Sequence, residues 1–222
     1  MLRLKSCCLG ESGGRSLARD AAPQHHCHVD LGGNGLEEAG GQTLAETLRF
    51  NDTLTSLDLS YNDLGEGGGW TLAEALLLNT TVTSLDLVVN DLREGGGLSL
   101  AEALCHNTMV TLVNLGINDL REGGAGDWQG HCVSMPRSRR SALADLGEGR
   151  GRMLAEALCL NTTVTSLDLH DNDLGDGVGR ALAETLRLNT TLTSLNLGSN
   201  VLGEGGGRSL AEALRLNTSF CF

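Results

Sequence analysis

Residues 54–80 read LTSLDLSYNDLGEGGGWTLAEALLLNT, and the two halves carry different periods. In the first half Leu57 and Leu59 flank Asp58, so alternation places both leucines on one face of a short strand and the carboxylate on the other. In the second, Leu72, Ala73 and Leu76 recur at three- and four-residue spacing, forming one apolar stripe of a short helix with Glu74 near its edge. The glycine-rich run at 65–69 reads as a break between strand and helix, and Asn79 as a cap or turn residue after the helix. One unit is therefore strand, turn, helix, turn.

The unit returns along the chain. LTSLDLSYNDL at 54–64 recurs as VTSLDLVVNDL at 82–92, VTLVNLGINDL at 110–120, VTSLDLHDNDL at 164–174 and LTSLNLGSNVL at 192–202, spaced by 28 residues wherever neighbouring copies are intact. Looser copies stand at 29–36 (VDLGGNGL) and 2–9 (LRLKSCCL), where Cys7 takes the place filled elsewhere by asparagine. Of 222 residues, 43 are leucine and 31 glycine, and aromatics make up only 3%, so the core must be aliphatic side chains stacked in layers. A single unit has too few large aliphatics to offset the entropy of ordering its backbone, so units must bury each other's leucine faces.

LxxLxLxxNxL followed by LAEAL at this spacing resembles the leucine-rich repeat of the ribonuclease-inhibitor subtype. That subtype also occurs in Ran GTPase-activating proteins and in nucleotide-binding leucine-rich-repeat receptors, and LAEALRLNTSF at 210–220 is most similar to the receptors' version. The resemblance implies an α/β solenoid bent into a horseshoe arc, with parallel strands on the concave face, helices on the convex face and macromolecules bound on the concave side. It covers residues 1–222 as one solenoid of about eight units, apart from 125–144.

There the expected pattern gives way to AGDWQGHCVSMPRSRRSALA, and the phase resumes at Asp145, 26 residues after Asp119. This reads as a degenerate or inserted unit, irregular in structure. The sequence shows no polar capping unit at either end, which suggests a fragment of a larger signalling protein or edge-to-edge self-association.

Twenty-eight acidic against 16 basic residues give a net charge of −12, which repels a phosphate backbone, so nucleic acid is not an expected ligand. No apolar run approaches the roughly 18 residues of a spanning helix, and MLRLKSCCLGESGG lacks a secretory apolar core; a cytoplasmic location with no membrane partner is expected. Seven cysteines, with Cys105 and Cys159 at the same phase 54 residues apart, do not form a disulfide framework.

Three histidines and Cys27 lie within residues 25–28 (HHCH), where zinc binding from His25 to His28 is an alternative reading, although adjacent ligands cannot all converge tetrahedrally. The glycine runs lack GxxxxGK[ST] and each adjoins an acidic residue, so they signal turns; no cofactor is expected and no metal site is assigned. Sequons at Asn51, Asn79, Asn161, Asn189 and Asn217 arise from one repeat word and are expected to stay unmodified, while Arg137, Arg139 and Arg140 form a short basic run inside the irregular segment. No nucleophile, base and orienter recur in context, so a non-enzymatic module is expected.

Asn34, Asn62, Asn90, Asn118, Asn172 and Asn200 fall at one register position; in the family this side chain bonds backbone groups of the turn, a structural ladder. Recognition falls to strand-face positions that vary between units. Tyr61, Val88, Val89 and Ile117 map to three consecutive strands as an apolar patch, with His170 at an equivalent position further along. Beside them run Asp30, Asp58, Asp86 and Asp168, with Asn114 and Asn196 in register. Carboxylates on neighbouring strands repel, so a partner protein with a basic surface is favoured. The expected function is protein binding on the concave face, as a recognition arm of a signalling protein; the alternatives are a GTPase activator of the Ran type and the metal-binding reading.

Overall fold

A computed structural model of the chain describes residues 1–10, 12–13, 28–120 and 151–220. Among these, the elements run β1 (Leu2–Arg3), β2 (His28–Asp30), α1 (Glu37–Leu48), β3 (Ser56–Asp58), α2 (Gly65–Leu78), β4 (Ser84–Asp86) and α3 (Arg93–His106). They continue with β5 (Leu112–Asn114), α4 (Gly151–Leu160), β6 (Ser166–Asp168), α5 (Asp176–Leu188), β7 (Ser194–Asn196) and α6 (Gly203–Leu216).

The strands form one parallel sheet in chain order, β1 through β7. Register is unbroken: Leu57 stands between Val29 and Leu85, and Asp58 between Asp30 and Asp86. Each rung turns two aliphatic side chains of its strand half, such as Leu57 and Leu59, toward the core. Leu54, Leu57, Leu59 and Leu64 from the strand half of one unit are buried with Leu72, Ala73, Ala75 and Leu76 from its helix half, and these layers join along the array as one core. Packed helices stand about 8–10 Å apart and strands about 4.8 Å apart, so the stack curves with the sheet on its inner, concave side.

The irregular segment does not open a gap in this array. Strand β5 pairs directly with β6, Val113 against Leu167 and Asn114 against Asp168, although these partners lie 54 residues apart in the chain. Helix α4 packs against α3 on one side and α5 on the other. The chain between Leu120 and Gly151 is therefore longer than the link between other adjacent rungs. Residues 125–144, with Arg137, Arg139 and Arg140, lie outside the described residues. The same adjacency brings Cys105 and Cys159 to equivalent places on neighbouring helices, closer than their separation in sequence suggests; both are thiols, not a disulfide.

The glycine runs are not breaks. They form the opening turns of the helices: α2 begins GEGGG and α6 does the same. Glycine costs about 1 kcal/mol per helical position relative to alanine, and close helix approach explains why it is kept. A Cβ on Gly69 would lie 2.9 Å from the Gly96 Cα, and one on Gly179 would lie 3.0 Å from the Gly206 Cα. The helix starts therefore touch backbone to backbone. Gly69→Ala should destabilise by about 1–3 kcal/mol through overpacking despite alanine's better propensity. Gly207→Ala, where nothing stands within 4 Å, should raise stability by about 0.5–1 kcal/mol. Urea unfolding of both variants checks the pair; a stabilising Gly69→Ala would refute the contact.

Candidate functional site

The rim of the sheet is organised by asparagine. Asn62, fully buried, donates from Nδ2 to the carbonyls of Leu59 (2.9 Å) in its own turn and Leu31 (3.0 Å) in the preceding one. Its Oδ1 accepts from the N–H of Asn34 (3.0 Å). Asn90 and Asn118 repeat the pattern, and across the irregular segment Asn118 N–H donates to Asn172 Oδ1 at 2.9 Å, so the ladder is continuous there too.

A second ladder runs along the other rim, at the asparagines that end the helices. Buried Asn79 donates from Nδ2 to Leu48 O (2.8 Å) and Asn51 O (3.0 Å), while its Oδ1 accepts from Thr81 and Val82 N–H at 3.0 and 2.9 Å. Asn107, Asn161 and Asn189 do the same. Sequence reading took these as turn residues or sequons. Their signal was the recurrence of an asparagine after every helix, including Asn107, whose NTM context is no sequon. In the structure the sequon amides of Asn79, Asn161 and Asn189 are buried and committed to the backbone.

Between the ladders lies the concave face. Asp30, Asp58, Asp86, Asn114, Asp168 and Asn196 are in register on β2 to β7. Each also closes a local turn: Oδ1 accepts from the N–H two residues on, at 2.9 Å from Ser60, 3.1 Å from Val88 and 2.9 Å from His170. The carboxylates are half-buried and differ in setting. Burial, with the neighbouring Asp58 charge, pushes the Asp86 carboxyl above its ordinary range, against the pull of the Val88 N–H and the Asn114 amide. At Asp168 burial also pushes upward, but the His170 N–H, the Asn196 amide (2.9 Å) and the His170 ring together hold the carboxyl below its ordinary range.

An acid raised in the folded state is least favourable when ionised, so Asp86 lowers stability at neutral pH and recovers it as pH falls through its raised pKa. Asp168 does the reverse, adding stability at neutral pH that is lost on acidification. Asp86→Asn, already accommodated at Asn114 and Asn196, should therefore raise the melting temperature at pH 7 by a few degrees at most. That advantage should vanish in acid; a pH-independent difference between the two melting curves would show that charge is not its source.

Past the strand ends, the turn row holds the exposed apolar groups. Tyr61 is 54% and Ile117 39% exposed, with Val89 half-buried between them. Val88 departs from the expected patch. At 9% exposure it is covered, and with buried Ser60 and Gly116 it forms a low floor between the acidic row and the turn row. This floor ends at His170, whose ring occupies the space over Gly116, where a Cβ would meet the imidazole; its Nδ1 lies 2.7 Å from Asp168 Oδ1. Sequence reading missed Leu112, a 46% exposed leucine on β5 in register with Ser84 and Ser166. Its signal was the change of the repeat word TSL to TLV.

The turn row is also a row of left-handed backbone. Tyr61, Val89 and Ile117 have φ of 57°, 55° and 54°; the equivalent positions elsewhere hold Gly33, Asp171 and Ser199 at 67°, 52° and 55°. Glycine and aspartate enter this region readily, whereas a β-branched residue there is strained.

A leucine-rich-repeat model matches residues 50–73, 78–101, 160–183 and 188–211, on both sides of the irregular segment. The fold is a leucine-rich-repeat solenoid. Among solved structures, the leucine-rich repeat-containing protein LegL7 from Legionella pneumophila is similar to 97% of this solenoid at 26% identity and a TM-score of 0.58, and the match spans 62% of the LegL7 chain. Actin-binding site 2 of leiomodin-1 is similar at 16% identity and a TM-score of 0.52, covering 92% of this chain and 87% of that one. No curated protein matches the solenoid.

Among the described residues no helix is long and apolar enough to cross a membrane, and no group of three His, Cys, Asp or Glu side chains is placed to hold a metal. Of the His25–His28 cluster only His28 is described; its Nδ1 lies 2.7 Å from Ser56 Oγ. His25, His26 and Cys27 lie outside the described residues.

Proposed function

We propose that the solenoid is a non-enzymatic recognition module that holds a protein with a basic surface on its concave face, across β3 to β5, as an arm of a larger signalling protein of the cytoplasm. The observation that carries this is the pair Val89 and Ile117. An L-residue in left-handed backbone costs about 1–2 kcal/mol, and neither side chain joins the aliphatic core in return. Two other rungs relieve the same position with Gly33 and Asp171. A strained apolar side chain held toward solvent in the same row as Tyr61 serves something other than folding. The half-buried carboxylates of Asp58 and Asp86 supply the acidic flank.

Leucine-rich-repeat neighbours support the reading of an interaction fold, and the acidic strip supports the sign of the partner. Capture from an extract of the source cells tests it. Wild-type solenoid should retain partners that a folded Tyr61→Asp/Leu112→Asp variant loses, and elution should sharpen with salt because the acidic flank is exposed to screening. Identical captured proteins from both would place the binding surface elsewhere.

A further inference from the structure

We infer that the occupant of the concave face is an amphipathic α-helix lying across the strands, its apolar stripe on Tyr61, Val89 and Ile117 and its basic flank over Asp58 and Asp86. The inference rests on the proposed concave-face function and adds the partner's conformation and pattern. Its first support is pitch. Tyr61, Val89 and Ile117 occupy one turn position on three consecutive rungs, and rungs repeat every ~4.8 Å, so their backbones mark steps of about 4.8 and 9.6 Å. A helix rises about 1.5 Å per residue, so positions i, i+3 and i+7 lie at about 0, 4.5 and 10.5 Å on one face, within about 1 Å of the rungs. An extended peptide repeats one face every ~6.7 Å and slips by about 2 Å at each rung.

The second support is width. The acidic row and the turn row are three residues apart along the chain, at most about 10 Å, within the breadth of one helix with its side chains. The floor between them is low for such a body on β3 and β4, where Ser60 and Val88 are buried. The His170 ring over Gly116 bounds the seat toward β6. The third is charge. The Asp58 and Asp86 carboxylates are neighbours in register, Asp86 ionises unwillingly because it is half-buried and lies beside Asp58, and lysines or arginines at i+1 and i+4, on one flank of the apolar stripe, relieve both.

Two synthetic peptides of about 14 residues, long enough as helices to span about 21 Å, carry the test. They share one Leu, Lys and Ala composition. In one the leucines fall at i, i+3, i+7 with lysines on one flank; in the other leucine and lysine alternate. Fluorescence anisotropy should show the helix-patterned peptide binding at least about tenfold tighter, with a gain of helical circular dichroism on mixing. Both the tighter binding and the gain should be lost on Ile117→Asp and reduced on Asp58→Asn/Asp86→Asn. Equal or tighter binding of the alternating peptide, lost on Ile117→Asp, would overturn the helix while leaving the concave face as the seat. Failure of the helix-patterned peptide to bind would also overturn the helix. Helix-patterned binding unchanged by Ile117→Asp would overturn both the helix seat and the concave-face reading.

Discussion

Replacing Asn90 by alanine is expected to remove about 3–5 kcal/mol of stability, a large share of what a domain of this size holds. The amide is fully buried. Its Nδ2 donates to Leu59 O and Leu87 O at 2.9 and 3.0 Å, and its Oδ1 accepts from the N–H of Asn62 at 3.1 Å and, more weakly, of Leu64 at 3.4 Å. Alanine leaves those backbone groups inside the array with no water to replace the lost bonds, and each orphaned group costs about 1–3 kcal/mol. The damage is not confined to one rung, because each rung is stable only against its neighbours. Asn200→Ala, where the ladder is already partly exposed, should lose less than half as much. Asn62→Ala combined with Asn90→Ala should lose less than the sum, since Asn62 and Asn90 share a bond. Urea unfolding of the wild type and the four variants reads all of this, and a loss below about 1 kcal/mol for Asn90→Ala would mean that the turn reorganises around the gap.

The parts of the fold that depend on period could be read from the chain. Leu57 and Leu59 alternate, Leu72 and Leu76 recur at helical spacing, and every rung repeats them, so strand, helix and stacking order follow from burying one aliphatic face. What could not be read depends on distances between rungs. The GEGGG runs satisfy every local rule for a break, yet they lie in helices because Gly69 must meet Gly96 across an interhelical contact that no single unit contains. The asparagines after the helices looked like turn punctuation because their partners, such as Leu48 O for Asn79, lie 31 residues back.

The candidate face was legible in the same partial way. Variation between units singled out Tyr61, Val89 and Ile117, but Val88 is covered by its surroundings on the sheet. Leu112 sits at a register position held by serine in neighbouring rungs, a substitution that matters only once β5 is known to lie between β4 and β6. The irregular segment shifts the phase of the count by an amount close to one unit, so in the sequence it reads as a degenerate or inserted unit. That the rungs on either side of it are neighbours emerges only from the direct pairing of β5 with β6.

Ile117→Asn separates folding from recognition at one position, because the two are expected to move in opposite directions. Asparagine adopts left-handed backbone readily, as Asp171 and Ser199 do in this array, so removing isoleucine from φ 54° should release about 1 kcal/mol or a little more. The isoleucine is 39% exposed and outside the aliphatic core, so little burial is lost to offset that gain. On the concave face the same change deletes the apolar anchor nearest the His170 boundary, and loss of an anchor at the margin of a contact weakens a protein interface by about 1–2 kcal/mol, or roughly five- to thirtyfold. The variant should therefore melt higher and capture less. Adding Val89→Asn should extend both trends, with a smaller stability gain because Val89 is half-buried. Thermal melting and capture measured on the same preparations decide it. A variant that melts higher and captures as well as wild type would show that the strain at this position has no bearing on recognition, whereas one that melts lower would show that the isoleucine serves the fold after all.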